Sequence, residues 1–304
     1  DDHPPFLIRK KDGSYLYATV DLAAAKNRIV DDEHDWVVYI TDSGQRLHFQ
    51  QLFAAIESAG WLIDTPKNGR GDCTREILKC KLEHVGHGVV RGIHGKKLSS
   101  RRGGSSFANL LSNAEKTADT LMARQNHNIH PSPRVSSIEE EALRIPEVIG
   151  MSAIRYFDLN AGRRSYILDY SGMLNFKGNT SVYLQYTYTR FHSVCTTITS
   201  KVQLKKLSAG QEGGASSSFN AYERQVALSL SRFHDTIETT ANSLSPNLLC
   251  EQLFVLAQKA NMFYEHCRVD GAKEEHSRLM LCEAVVNALS CGMRLLGINR
   301  LEKM

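Results

Sequence analysis

Three stretches in the first third of the chain carry polar side chains at spacings suited to ligand binding. In the first, Tyr17 and Asp21 are four residues apart, so on a helix they share one face. A carboxylate beside a phenol suits a planar guanidinium, which offers a fork of donors and keeps its charge. The alternative is that Asp21 occupies the first turn of its helix and only stabilises that helix through the helix dipole, which is the commoner role of such an aspartate.

The second stretch, residues 42–49, directly follows a short apolar run at 36–41. Within it, Gln45 offers both a hydrogen-bond donor and an acceptor, and His48 lies one helical turn later. Because open α/β sheets bind ligands beyond the carboxyl ends of their strands, Gln45 is a candidate binding residue. The alternative is an ordinary turn and helix cap, with His48 on the helix surface.

The third stretch, residues 95–104, is a basic loop flanked by glycines. Four of the seven residues from 96 to 102 are cationic, and two more carry hydroxyl groups. Such a loop suits a phosphate chain whose negative charge grows during a reaction. It lacks the spacing of a Walker loop, and the alternative is a solvated loop or a localisation signal, which is the commoner meaning of a basic run.

The first third of the chain has the pattern of an α/β domain, because helix-prone and strand-like segments alternate there. Thr19–Ile29 is helix-prone, and the apolar run at 36–41 is typical of a strand that is buried on both faces. A turn at 42–44 leads to apolar residues at helical spacing over 49–56. This order predicts the strand–turn–helix unit of a parallel sheet.

After about residue 106 the pattern becomes helical. Ser245 and Pro246 form an N-cap followed by proline at the first helical position, which predicts the start of a helix. A last helix is predicted at 278–296, ending at Gly297. We therefore divide the chain into an α/β domain at 1–107 and an all-α domain at 108–304.

The composition fits a globular protein with a real core, since 42% of the 304 residues are hydrophobic and 23% are charged. A net charge of +4 permits a polyanionic partner but does not demand one. The seven cysteines form no C-x-x-C pair, which favours reduced thiols in a cytosol-like compartment. No apolar run approaches the roughly 20 residues of a membrane span, so we expect no membrane association.

In this order, the three stretches resemble motifs of the arginyl-tRNA synthetases, a class I family. The segment YATVDLAA at 17–24 is similar to the family's Y-x-T-x-D-L-A-A, and GQRLHF at 44–49 is similar to its G-Q-x-x-H-F. Residues 95–103 resemble the family's version of the K-M-S-K-S loop. Further similar segments at 178–186 and 263–264 extend the resemblance over almost the whole chain.

The resemblance implies a fold and an activity. Residues 1–107 would be the second half of a Rossmann-type class I catalytic domain, and residues 108–304 an all-α anticodon-binding helical bundle. The protein would be an arginine–tRNA ligase, which uses ATP with Mg²⁺ to activate L-arginine as arginyl-adenylate and transfers the arginyl group to tRNA(Arg). Neither a tightly bound cofactor nor a metal site is implied, and we expect a monomeric, cytoplasmic protein.

The resemblance also assigns roles to individual residues. Tyr17, Asp21 and Gln45 would bind the arginine substrate. The group that would bind ATP comprises Gly44, His48, Lys96, Lys97, Ser99, Ser100 and Arg101. The group that would bind tRNA comprises Arg190, Tyr264 and Met304, and for Tyr264 core packing is an alternative of about equal weight.

Two departures from the family pattern affect these expectations. Ser100 stands where the loop motif has its second lysine, which leaves Lys96, Lys97 and Arg101 to supply the positive charge. The first half of the nucleotide fold, with its H-x-G-H signature, is missing, so we expect that the chain does not aminoacylate tRNA alone. The literal match HVGH at 84–87 adjoins the basic loop, and we interpret it as a coincidence.

Other interpretations of the sequence stay open. The main alternative is a non-catalytic tRNA-binding paralogue, although the intact arginine-binding set favours the enzyme. A third interpretation is a helical interaction protein without an RNA role, and the basic loop argues against it only weakly. His84, His87 and His94 could be metal ligands, but no carboxylate or cysteine completes a familiar spacing, so no metal site is predicted.

Overall fold

The structure is a computed structural model that describes residues 5–64, 77–92, 95–98, 107–126, 145–206 and 219–301. The chain divides into two compact units, Asp1–Val89 with Arg163–Ser165 and Val90–Gly162 with Tyr166–Met304. Compactness alone does not distinguish a catalytic domain from an RNA-binding one. The functional boundary at 107–108 therefore stays a prediction.

In its described residues the first unit consists of short strands and two helices. In chain order these are α1 (Tyr17–Lys26), β1 (Trp36–Asp42), α2 (Arg46–Ser58), β2 (Ile63–Asp64), β3 (Ile77–Leu78) and β4 (Lys81–His87). A π-helical turn, Asn27–Asp31, extends α1, and a 3-10 turn, Ser43–Gln45, joins β1 to α2. The strand, turn and helix predicted between residues 36 and 56 are therefore confirmed. The predicted burial of the strand on both faces is wrong in the described residues, since Trp36 is 43% and Ile40 is 70% exposed.

The sheet of the first unit has a parallel pair of strands, β1 and β4, with Trp36 opposite Lys81 and Asp42 opposite His87. β2 and β3 form a separate antiparallel pair. The core that supports them includes four fully buried aliphatic side chains, from Ala25, Ile29, Leu52 and Ile56. Burial of each larger one contributes roughly 1.5–3 kcal/mol, which holds α1 and α2 in one packed core.

A glycine allows the end of β4 to approach the turn that follows β1. A Cβ added to Gly86 would lie 2.9 Å from the Cα of Ser43, a distance that side-chain carbons do not adopt. Inside the turn, Asp42 Oδ1 accepts a hydrogen bond from the Gly44 amide at 2.8 Å. These contacts define the position from which Gln45 leads into α2.

The second unit is mostly helical in its described residues. Its elements are β5 (Val90–Arg91), α3 (Phe107–Asn126), α4 (Ile145–Ala161), β6 (Tyr166–Ile167), α5 (Tyr170–Met173), α6 (Ser181–Lys206), α7 (Ala221–Ser231), α8 (Phe233–Ser243), α9 (Pro246–His266) and α10 (Glu275–Leu295). The two-residue strands β5 and β6 pair in parallel, which adds a short piece of sheet to the helical bundle.

The core of the second unit is built from α4, α6, α7, α9 and α10, and Tyr156, Phe191 and Phe263 are among its fully buried side chains. α9 begins with Pro246, and α10 ends before Gly297, which has a φ of +66°. The predicted start of α9 and end of α10 are therefore confirmed, although the Ser245 side chain donates to the carbonyl of Ser243 and does not cap α9. No helix in the described parts of the chain is long and apolar enough to cross a membrane.

Candidate functional site

The first candidate site lies where α1 contacts the beginning of α2. His48 Nε2 and Asp21 Oδ2 are 2.8 Å apart, with side chains that are 28% and 27% exposed. Because an ionised carboxylate only accepts hydrogen bonds, Nε2 of the imidazole carries the proton and donates it to Asp21. The contact therefore holds a partly buried carboxylate in one orientation.

The placement of Asp21 in the first turn of its helix is wrong. α1 begins at Tyr17 after Leu16 as N-cap, so Asp21 is its fifth residue, and the first turn holds no acidic residue. The helix dipole acts mainly on the terminal turn. Stabilisation of its own helix therefore does not explain Asp21, whereas the bond to His48 gives it a tertiary partner.

His48 is packed as well as hydrogen-bonded. Its ring centroid lies 5.8 Å from that of Phe6 and 5.3 Å from that of Phe49, the second contact being edge-to-face. The sequence grouped His48 with the residues that would bind ATP, and the alternative placed it on the helix surface. The structure brings it against Asp21, a partner that motif spacing alone did not indicate. Its role in binding ATP stays a prediction.

Tyr17 and Gln45 lie at the N-terminal side of this pair, one helical turn before Asp21 and His48 respectively. Both side chains are exposed, Tyr17 to 79%. In the described portion of the chain neither donates to nor accepts from Asp21. Among the described residues, the structure thus joins Asp21 to His48 and does not join Tyr17 or Gln45 to Asp21.

The HVGH match belongs to a strand. These four residues end β4, whereas the synthetase signature belongs at a strand-to-helix turn. His84 Nε2 lies 2.9 Å from Thr41 Oγ1, and its ring stacks on Phe49 at 4.6 Å. The histidine is therefore a packing and hydrogen-bonding residue of the parallel sheet.

Burial lowers the pKa of His84 below its ordinary value of 6.5, and the nearby guanidinium groups of Arg46 and Arg163 lower it further. The ring is consequently neutral at neutral pH. Among the residues that the structure describes, no group of three or more His, Cys, Asp or Glu side chains is arranged to hold a metal ion. His94 lies outside the described residues.

The basic loop is described only at its beginning. Gly95 adopts a φ of +72°, and Lys97 then pairs with Arg91 in an antiparallel bridge, so this segment folds back on β5. Lys96 and Lys97 are both exposed. The remaining predicted phosphate-binding residues, Ser99, Ser100 and Arg101, lie outside the described residues.

A second candidate site, on the helical unit, is built around Arg190 of α6. Its guanidinium lies over the rings of Tyr186 and Tyr264, with Cζ at 4.6 and 4.8 Å from their centroids. It also donates to Asn261 Oδ1 at 2.9 Å and to the hydroxyl of Tyr186. Asn261 in turn donates to Tyr183, which makes the position of Arg190 well determined.

Tyr264 is not a core residue, since 40% of it is exposed. Its ring centroid lies 6.0 Å from that of Phe191. Tyr264 also lines a groove of about 410 Å³ together with Cys267 and Arg268. We call Tyr186, Arg190 and Tyr264 the tyrosine–arginine cluster. The sequence predicted roles for Arg190 and Tyr264 but not for Tyr186, although its i, i+4 spacing to Arg190 was a usable signal. Met304 lies outside the described residues.

Comparisons with known proteins agree with the motifs. The family model described as tRNA synthetases class I (R), catalytic domain, matches residues 2–170, and the model of the DALR anticodon binding domain matches residues 184–304. Arginine–tRNA ligase of Protochlamydia amoebophila is 35% identical over 303 residues, covering 99% of this chain and 47% of that protein.

Two further comparisons give the same result. Arginine–tRNA ligase of Cyanothece sp. is 34% identical over 315 residues, covering 100% of this chain and 48% of that protein. The crystal structure of arginyl-tRNA synthetase from Plasmodium falciparum superposes with a TM-score of 0.72 at 26% identity, covering 98% of this chain and 46% of that one. The chain spans about half the length of the curated relatives it matches.

Proposed function

Because the chain belongs to the class I arginyl-tRNA synthetase family, we propose that the protein is an arginine–tRNA ligase and that Asp21 binds the guanidinium of its substrate. The observation that carries the proposal is the Asp21 carboxylate, which His48 holds through a 2.8 Å hydrogen bond. Tyr17 and Gln45, one turn away on their helices, supply further hydrogen-bonding groups for the same ligand.

The chemistry of these groups matches arginine better than other amino acids. A guanidinium has five N–H donors and no acceptor, so it needs several oxygen acceptors at once. The carboxylate of Asp21, the phenol oxygen of Tyr17 and the amide oxygen of Gln45 are such acceptors. A shorter or neutral side chain leaves some of them unpaired, and the cost of that loss is the basis of discrimination.

The reaction needs no covalent bond to a side chain. The arginine carboxylate attacks the α-phosphorus of ATP and pyrophosphate leaves, then a terminal hydroxyl of the tRNA attacks the arginyl carbonyl and AMP leaves. In such a two-step reaction, positioning of the substrates and stabilisation of the developing charge account for the rate acceleration. Lys96 and Lys97 would balance the phosphate charge of ATP bound with Mg²⁺.

The tyrosine–arginine cluster supports a role for the helical unit in binding tRNA. An exposed tyrosine ring beside a guanidinium suits stacking of an unpaired base. Bases in loops and single strands are available for such stacking. The groove beside Tyr264 leaves space for a base that is turned out of its helix. On this basis the cluster would contact the anticodon loop of tRNA(Arg).

The alternative function is a tRNA-binding paralogue without catalysis. It needs the tyrosine–arginine cluster but has no use for a carboxylate held toward a cationic substrate. The held Asp21 therefore favours the enzyme. The monomeric state, the cytoplasmic location and the inactivity of this chain alone stay predictions.

Aminoacylation kinetics test the proposal. The longest native polypeptide that carries this chain is expected to charge tRNA(Arg) with arginine in the presence of ATP and Mg²⁺, and Asp21→Asn is expected to raise the KM for arginine. Glu57→Gln, which removes a negative charge from an exposed position on α2, is the matched control. Arginylation that is insensitive to Asp21→Asn would reject the pocket, and charging of no tRNA would favour the paralogue.

A further inference from the structure

A cleft of about 520 Å³ on the helical unit is lined by three arginines. Arg155 comes from α4, Arg294 from the last turn of α10, and Arg300 from the segment that follows α10. Ser290 and Asn299 add polar groups to the same cleft. All three arginine side chains are exposed to solvent at the cleft. We call this feature the three-arginine cleft.

Local contacts account for only part of this positive charge. Arg155 donates to the carbonyl of Gly297, and Arg300 Nη1 donates to Ser290 Oγ at 2.7 Å. Each guanidinium has five N–H donors, so most of these donors have no acceptor among the described residues. In the described residues, none of the three arginines lies within ion-pair distance of a carboxylate.

The end of α10 is a second possible reason for the cluster, but its charge is too small. A helix C-terminus carries the equivalent of about half a negative elementary charge, and one cation in the last turn is enough to complement it. Among the described residues, three guanidinium groups therefore leave a surplus of positive charge on a concave, solvent-exposed surface. A ligand with negative charge and several acceptor oxygens complements this surface.

The cleft is structurally linked to the tyrosine–arginine cluster within the same unit. Gln185 Nε2 donates to the carbonyl of Asn299 at 2.7 Å, and Thr189 Oγ1 donates to the carbonyl of Leu301 at 2.8 Å. The segment that forms one wall of the cleft therefore runs along α6 as far as the residue before Arg190. Five residues of helix, about 7.5 Å, separate Gln185 from Arg190.

From this arrangement we infer that the three-arginine cleft binds a backbone phosphate of the RNA whose bases meet the tyrosine–arginine cluster. The inference rests on the proposed function, since it takes tRNA as the ligand. The described lining of the cleft contains no aromatic ring for base stacking. Contacts to phosphate position an RNA strand without reading its sequence. The cleft would thus set the register of the strand, and the tyrosine–arginine cluster would contact its bases.

The test is tRNA binding by the longest native polypeptide that carries this chain, measured by filter binding across a salt series. The variant R294Q/R300Q removes two charges and leaves the Arg155 contact to Gly297 in place. We expect its affinity to fall roughly tenfold, as for loss of a charge-assisted contact. The slope of log K against log salt should become less negative by about 0.7–0.9, the value for one phosphate contact.

Arg224→Gln is the matched control, because Arg224 is an exposed arginine on α7 of the same unit. An equal loss of affinity in this control would overturn the assignment, since general electrostatic attraction would then explain both. Circular dichroism and thermal unfolding of R294Q/R300Q should match the unmodified chain, and Arg294→Lys should retain the salt slope.

Two outcomes separate the cleft from the proposed function. Unchanged tRNA affinity in R294Q/R300Q, combined with weaker binding by Tyr264→Ala, would overturn the cleft and keep the function. No tRNA binding by the unmodified longest native polypeptide would overturn both. Binding of inorganic phosphate shows whether the cleft takes free phosphate or RNA. If R294Q/R300Q abolishes phosphate binding but leaves the salt slope of tRNA binding unchanged, RNA is rejected as the occupant.

Discussion

Replacement of Asp21 by asparagine should weaken the binding of L-arginine without disturbing the fold of the first unit. Asparagine has the same shape, and its side-chain oxygen can still accept the hydrogen bond from His48 Nε2. The change therefore removes one negative charge while the contact between α1 and α2 persists. It also places an NH₂ group where the guanidinium needs an acceptor.

The size of the effect follows from the charge and its exposure. A carboxylate and a guanidinium about 4 Å apart attract by roughly 4 kcal/mol at an effective dielectric constant of about 20. The Asp21 side chain is 27% exposed, so solvent screens part of this attraction. A loss of about 2–4 kcal/mol corresponds to a rise of roughly 30-fold to 1,000-fold in the dissociation constant for arginine.

The assay is steady-state aminoacylation with arginine as the varied substrate, using the longest native polypeptide that carries the chain. Binding of tRNA, measured separately, should be unchanged, because Asp21 belongs to the first unit. Citrulline, the neutral analogue, should compete equally weakly with both proteins. An arginine KM for Asp21→Asn within twofold of that for Glu57→Gln would refute the charge argument.

Three further outcomes are expected. His48→Ala should raise the KM for arginine less than Asp21→Asn does, with kcat little changed. His48→Gln should restore part of the lost affinity, because its amide can donate a hydrogen bond to the carboxylate. If His48→Gln restores nothing, the positioning role of His48 is rejected. Tyr264→Ala should weaken tRNA binding by about 1–3 kcal/mol, the value of one stacked base, whereas Tyr264→Phe should not; equal losses would argue against stacking. Because the pKa of His84 is lowered in the folded state, its contribution to stability is fully present above about pH 6.5 and is lost as the pH falls through the folded-state pKa. His84→Gln should therefore flatten the acid side of the stability-versus-pH curve of the first unit, and an unchanged curve from denaturant titrations would contradict this sign.

Local features of the fold were predictable because they depend on neighbouring residues. The apolar run at 36–41 predicted a strand, and it forms most of β1. Its predicted burial on both faces was wrong, because burial depends on which elements cover the strand, and Ile40 is 70% exposed. Pro246 starts α9 and Gly297 follows α10, as their residue types predicted. In each case the signal lies within about one or two helical turns of sequence.

The contacts that give these residues a chemical role were decided by the tertiary structure. Asp21 meets His48 across 27 residues, Arg190 meets Asn261 across 71, and Arg155 meets Gly297 across 142. Such pairs depend on which helices pack together and in what register, and hydrophobic burial selects that packing without regard to the polar groups it brings together. Residue types and motif order thus identified the family and the candidate residues, whereas only the packed helices determined that an imidazole holds the carboxylate and that three arginines share one cleft.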